Sequence, residues 1–165
     1  MIGRKLNTTI YNESDMNRGI RFRGKRCSDG KWVYGFYAES NYSWKGHKPH
    51  KSWIVSNAIS NGGFFNILGR YAVKDNTIGQ FTGLYDKNGK EVYEGDILKV
   101  ECTDGSSIYK IVRFVPEKAA FCMANTFEIK DEGRWDIWSC VSQRGIKEIE
   151  ASVIGNIHDN PELLK

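Results

Sequence analysis

Residues 80–100 read QFTGLYDKNGKEVYEGDILKV, and this stretch decides the class of fold. Asp86-Lys87-Asn88-Gly89 has the make-up of a tight turn, because Asn and Gly accept positive φ where other residues are strained. Glu94-Gly95-Asp96 marks a second corner, and Ile97 to Cys102 has the composition of a strand. Thr103-Asp104-Gly105 turns the chain once more. In the run that follows, Ile108, Lys110, Val112 and Phe114 oppose Tyr109, Ile111 and Arg113, the period-2 pattern of a pleated strand. Pro116 ends that strand, since it has no N–H to give to a ladder.

The same spacing extends in both directions. Downstream, Ala119 to Phe127 and Trp135 to Val141 read as strands around a charged turn at Lys130 to Arg134. Ile146 to Ile149 and Val153 to Ile157 complete the β content, and Asp159-Asn160-Pro161-Glu162 starts a short C-terminal helical turn. Upstream, Trp53-Ile54-Val55, Phe64 to Leu68, Tyr71-Ala72-Val73 and Thr77 to Leu84 are extended pieces, with turns at Asn61-Gly62-Gly63 and Asp75-Asn76. Glu39 to Ser52, with Trp44, His47, Pro49 and His50, reads as a surface loop. Ile20 and Phe22 alternate with Arg21 and Arg23, which places the two apolar residues inward and the arginines toward solvent. Ser28-Asp29-Gly30 then returns the chain into Lys31 to Tyr37 as a hairpin. Turn signals every 8–12 residues predict a mainly β protein, a compact small barrel or a sandwich with extra strands. Residues 1–15 carry no apolar period and read as a polar N-terminal extension, leaving 16–165 as one β domain.

Composition agrees with this reading. The chain has 165 residues, 13% aromatic residues, 17 glycines and only 3 prolines, a balance suited to short strands and tight turns. No run approaches the roughly 18 apolar residues of a membrane span, and the N-terminus lacks an apolar signal core, so no membrane association and a cytoplasmic location in a bacterial host are expected. Cys27, Cys102, Cys122 and Cys140 are scattered without a CxxC pair, and are expected to be free, mostly buried thiols with no metal ligation. The net charge of +4 is uneven: residues 1–60 hold 11 Lys/Arg against 4 Asp/Glu, residues 61–165 hold 13 against 16. A basic first third can attract an anionic partner or answer the acidic remainder internally.

Three stretches resemble the YopX family of phage and prophage proteins. They are Ile20-Arg21-Phe22-Arg23, then TIGQFTGL (77–84) with DKNGKEVYEGDI (86–97), and finally VIGNI (153–157) with NPELL (160–164). The resemblance spans about Met16 to Lys165, while residues 40–70 and 117–146 match none of its motifs. It implies a phage-derived, mainly β fold, plausibly on an SH3-like barrel, and it carries over no active site. Read as residues, the small and turn-forming side chains of these motifs sit at strand ends, where Asp and Asn bond the following backbone amides; a structural role is preferred over ligand contact.

No nucleophile elbow, P-loop, GxGxxG or HExxH occurs. His47 and His50 are read as exposed loop residues rather than ligands, and His158 as a turn residue rather than a base. Glu91, Glu94 and Asp96 could serve as acid/base groups, but without a nucleophile a solvated corner is preferred. No catalytic residue, metal or cofactor is therefore expected. Arg18, Arg21, Arg23, Lys25, Arg26 and Lys31 flank Trp32, Tyr34, Phe36 and Tyr37. The aromatics are read first as core. The alternative is a nucleic-acid-binding β-barrel, in which these six cations neutralise phosphates and Trp32 stacks on bases. The leading expectation is a non-enzymatic accessory protein that binds a protein partner or associates with itself.

Overall fold

The computed structural model describes residues 19–40, 51–57, 68–102, 104–125, 139–140 and 150–164. The extension at 1–15, Arg18, the histidine loop, the turn at 61–63 and the strand expected at 146–149 all lie outside the described residues.

The protein is mainly β, built as two antiparallel sheets with only 3-10 turns for helix among the described residues. The first sheet contains β1 (Phe22–Lys25), β2 (Trp32–Glu39), β3 (Ser52–Asn57), β4 (Leu68–Ala72), β5 (Gly79–Tyr85) and β6 (Glu91–Tyr93), in the order β4-β3-β2-β1-β5-β6. The second contains β7 (Asp96–Glu101), β8 (Ser107–Val115), β9 (Ala120–Asn125), β10 (Ser139–Cys140) and β11 (Ser152–Asn156), in the order β10-β9-β8-β7-β11. Pro116 does end β8, and a 3-10 turn at Pro116–Lys118 leads into β9. The C-terminal helical turn is a 3-10 turn at Pro161–Leu164.

The first sheet curls toward closure. Arg26, just past β1, bridges Val73, just past β4. Cys27 N–H donates to the Ala72 carbonyl at 2.9 Å and Lys74 N–H to the Lys25 carbonyl at 2.9 Å. The far ends of the β4-β3-β2-β1 run are thus drawn together, which hides strand edges that would otherwise pair with other chains. Ile54 and Val73 are buried there.

The chain passes between sheets at Gly95, between β6 and β7. Its φ of +83° suits glycine. Its N–H donates to the Val112 carbonyl at 2.8 Å, and its own carbonyl accepts from Ile157 N–H at 2.9 Å. Beyond the corner, Val92 from the first sheet packs with Leu98, Val100, Val112, Met123 and Ala151 as the core between the sheets. On the other side of β8, Ile111 and Val115 bury against Cys122 and Ala124. Gly89, in the β5–β6 turn, has φ of +80°. Valine at Gly89 or Gly95 is expected to cost about 1–3 kcal/mol through backbone strain. Denaturant melts of the two variants check this, and wild-type midpoints for both would show that the corners tolerate a side chain.

Candidate functional site

The register of the first sheet sets which side chains share a face. Arg23 lies opposite Tyr34 and Lys25 opposite Trp32. Arg23 also lies opposite Gly79, and Phe81 lies opposite Tyr93. Directly opposed residues point the same way and alternate along each strand. One face therefore carries Arg23 and Lys25 of β1, Trp32, Tyr34 and Phe36 of β2, Phe81 of β5 and Tyr93 of β6.

This overturns the inward–outward reading of IRFR. Arg23 is 6% exposed, whereas Ile20 is 58% exposed. The reason is a partner from the second sheet: Arg23 Nη2 sits 2.6 Å from Asp96 Oδ1, with both side chains buried. The same nitrogen donates to the Glu94 carbonyl at 3.1 Å, and the guanidinium stacks on Trp32 at 4.8 Å and Tyr93 at 5.0 Å. Arg23 Nε has no acceptor, and Asp96 Oδ1 no aligned donor, so the pair is held by charge and close approach more than by directed hydrogen bonds. Asp96 Oδ2 accepts from Tyr93 N–H at 2.8 Å. Burial pushes the Asp96 carboxyl up, against the opposing pull of Arg23 and that amide. Arg23 is therefore a strut between sheets and unavailable to phosphate.

Three more of the cations expected to form a basic row have carboxylate partners. Arg21 pairs with Glu91 and lies over the Phe81 ring at 4.7 Å. Lys25 pairs with Asp159. Arg26 pairs with Asp29. Trp32 Nε1 donates to Asp159 Oδ2 at 2.7 Å. Lys31 is exposed in the turn. Of the acidic corner, expected to be solvated, Asp96 is buried while Glu91 and Glu94 are half-buried. Glu91 takes Arg21 and the Tyr93 hydroxyl, Asp96 takes Arg23, and Glu94 accepts from Phe114 N–H at 3.2 Å.

Two aromatics expected in the core are on the surface instead. Tyr34 is 49% and Phe36 56% exposed, and Tyr85 is 42% exposed. Tyr34 and Tyr85 rest on a buried aromatic base. Tyr34 meets Tyr93 at 5.6 Å between ring centroids, Tyr93 meets Phe81 at 5.4 Å, and Phe81 meets Tyr85 at 5.6 Å. Burial, then the hydrogen bond to Glu91, pushes the Tyr93 phenol up. The outcome is an aromatic surface whose charges, Arg21 and Glu91, are paired with each other. Sequence reading named Tyr34 and Phe36 but gave Tyr85 no part, because Tyr85 joins the surface only through the β5–β6 register.

Asp159 closes the other side of the hairpin. Besides Lys25 and Trp32, it accepts from Asn156 Nδ2 at 2.8 Å. Burial raises its pKa, but these donors outweigh burial and hold the carboxyl at about 2. A folded-state value below the unfolded value of about 3.9 stabilises the fold at neutral pH, and this contribution is lost as pH falls from about 4 to about 2. Stability measured across that window is expected to fall less steeply for Asp159→Asn than for wild type; parallel profiles would contradict the assignment. His158 beside it meets Trp32 at 6.0 Å, and burial, then Lys25 and Arg23, push its pKa down. His158 is thus an aromatic wall of this junction.

Among the described residues no group of three or more His, Cys, Asp or Glu is placed to hold a metal, and no helix is long and apolar enough to cross a membrane. Cys27 is exposed, Cys102 half-buried and Cys122 buried, none of the three in a disulfide.

The family model of the YopX protein matches residues 21–165. No curated protein sequence matches the chain. Among solved structures, the chain is similar to the crystal structure of protein EF1440 from Enterococcus faecalis. The two are 20% identical, with a TM-score of 0.47, over 88% of this chain and 98% of that one.

Proposed function

Since the chain belongs to the YopX protein family across residues 21–165, we propose that it is a phage- or prophage-derived, non-enzymatic accessory protein of the bacterial cytoplasm that acts by binding. Its binding surface is the aromatic face of Tyr34, Phe36 and Tyr85, and its ligand is a protein partner or a second copy of itself. One observation carries this reading: Tyr34, Phe36 and Tyr85 are exposed, and Arg21, which lies over the buried Phe81 ring, already has its charge matched by Glu91. Tyr, Phe and Arg are enriched at the centres of protein interfaces, where unmatched charge is depleted.

The phage origin rests on the family resemblance. The nucleic-acid reading stands second, supported by the same aromatics as a stacking platform and weakened by the carboxylates on Arg21, Arg23 and Lys25. The test is capture of partners from nuclease-treated host extract, alongside sedimentation of the pure protein over a concentration series. A Tyr34→Ser, Phe36→Ser variant is expected to lose the captured protein or the self-association. Its melting should change little, as surface substitutions usually move stability within about 0.5 kcal/mol. Capture and sedimentation unchanged in that variant would contradict the reading.

A further inference from the structure

A second concavity lies at the other end of the hairpin, where the first sheet curls toward closure. It is a cavity of about 370 Å³ lined by Arg26, Cys27, Ser28, Arg70, Tyr71 and Ala72. That volume lies at the small end of ligand sites. Each of its polar side chains can donate a hydrogen bond. Arg26 and Arg70 only donate, Ser28 and Tyr71 carry hydroxyls, and Cys27 is an exposed free thiol. Among the described residues no carboxylate lines the cavity.

The two arginines differ in what they still lack. Arg26 is anchored, with one end on Asp29 and its guanidinium over the Tyr71 ring at 5.3 Å, yet its Nε is buried with no acceptor. Arg70 is exposed, and among the described residues no carboxylate pairs with it. A ligand here must supply acceptors. It must also carry more charge than a carboxylate, because Arg26 already holds one monoanion and gains little by exchanging it for another. A phosphate dianion meets both needs, with several oxygens for two guanidinium groups and a hydroxyl. Tyr71 and Ala72 offer an apolar wall to an attached organic group.

We propose that this cavity binds the phosphate of a small phosphomonoester, with Arg70 and Arg26 as its cationic ligands and Ser28 as a hydroxyl donor. The site is separate from the aromatic face and does not depend on it.

The experiment titrates the full chain, by amide NMR at constant ionic strength, with phenyl phosphate, inorganic phosphate and acetate. Phenyl phosphate is expected to shift the amides of Cys27, Ser28 and Ala72 saturably, inorganic phosphate to do so more weakly, and acetate to leave them in place. Arg70→Gln changes an exposed side chain, so the variant keeps its fold, and it is expected to weaken phenyl phosphate about tenfold, the loss of one charged contact. Ser28→Ala is expected to weaken it less. The proposal is overturned by absence of a saturable shift, by acetate acting equally, or by wild-type affinity in Arg70→Gln. A single-stranded oligonucleotide that displaces phenyl phosphate and binds more tightly would overturn it too, and would reassign the cavity to a nucleic-acid backbone.

Discussion

Asp96→Ala is expected to destabilise the protein by about 3–5 kcal/mol, the cost of leaving a buried cation without its partner. For a chain of this size that lowers the melting temperature by roughly 10 °C. Arg23 enters from β1 and Asp96 opens β7, so the pair spans the two sheets. Removing the carboxylate strands a guanidinium that already has one buried nitrogen without an acceptor. A double change, Arg23→Met with Asp96→Leu, removes both charges and keeps volume in the site. It is expected to recover most of the loss, since buried ion pairs replaced by packed apolar residues are often neutral or stabilising. A melt of Asp96→Ala within 1 kcal/mol of wild type (about 2–4 °C) would mean that Arg23 finds another partner or reaches water.

Asp86→Ala is the second large effect. Asp86 is 4% exposed, and its carboxylate serves three backbone amides. Oδ1 accepts from Asn88 N–H and Lys90 N–H, each at 2.8 Å, and Oδ2 from Val153 N–H at 2.9 Å. Burial pushes this carboxyl up, but the amides of Val153, Lys90 and Asn88 outweigh burial and leave its pKa below the usual value. The first two bonds shape the β5–β6 turn, and the third ties that turn to β11 in the second sheet. Alanine removes all three acceptors at once, so a loss of about 2–4 kcal/mol is expected, as each unsatisfied buried donor costs about 1–3 kcal/mol without full additivity. Asp86→Asn keeps one carbonyl oxygen for the turn and turns an amide toward Val153, so it should fall between. Equal stability of alanine and aspartate in a denaturant melt would remove Asp86 from this role.

These two carboxylates show what could be read in the sequence. DKNGKEVYEGDILKV named its own turn and corner because that information is local: Asp86 shapes the turn through Asn88 and Lys90, and Gly89 and Gly95 act through their φ. The strand composition of β7 and β8 was legible for the same reason. The facing of IRFR was not. Period-2 reading assumes that charge faces water, and Arg23 breaks that rule because its counter-charge arrives from the other sheet. A signal was present in Asp96, an acid placed directly before the apolar Ile97-Leu98, where a solvated corner is a poor neighbour for a core strand. The exposure of Tyr34 and Phe36 was not legible either: they share a face with the buried Arg23, so alternation along the strand does not separate them from it. The three family stretches meet at these junctions, through Arg23–Asp96 and Asp86–Val153. That convergence supports a structural role for the motif residues.

The central claim is that Arg21, Arg23 and Lys25 of the N-terminal hairpin are bound up in the fold and leave an aromatic surface for protein contact. Fluorescence anisotropy of labelled single-stranded DNA and RNA, titrated across a salt series, tests it most directly, because phosphate binding releases counterions and must weaken steeply with salt. The account predicts weak binding at low salt that vanishes near physiological ionic strength. Submicromolar binding at physiological salt, lost in an Arg21→Glu, Lys31→Glu variant that keeps the wild-type melt, would contradict it and place the nucleic-acid reading first.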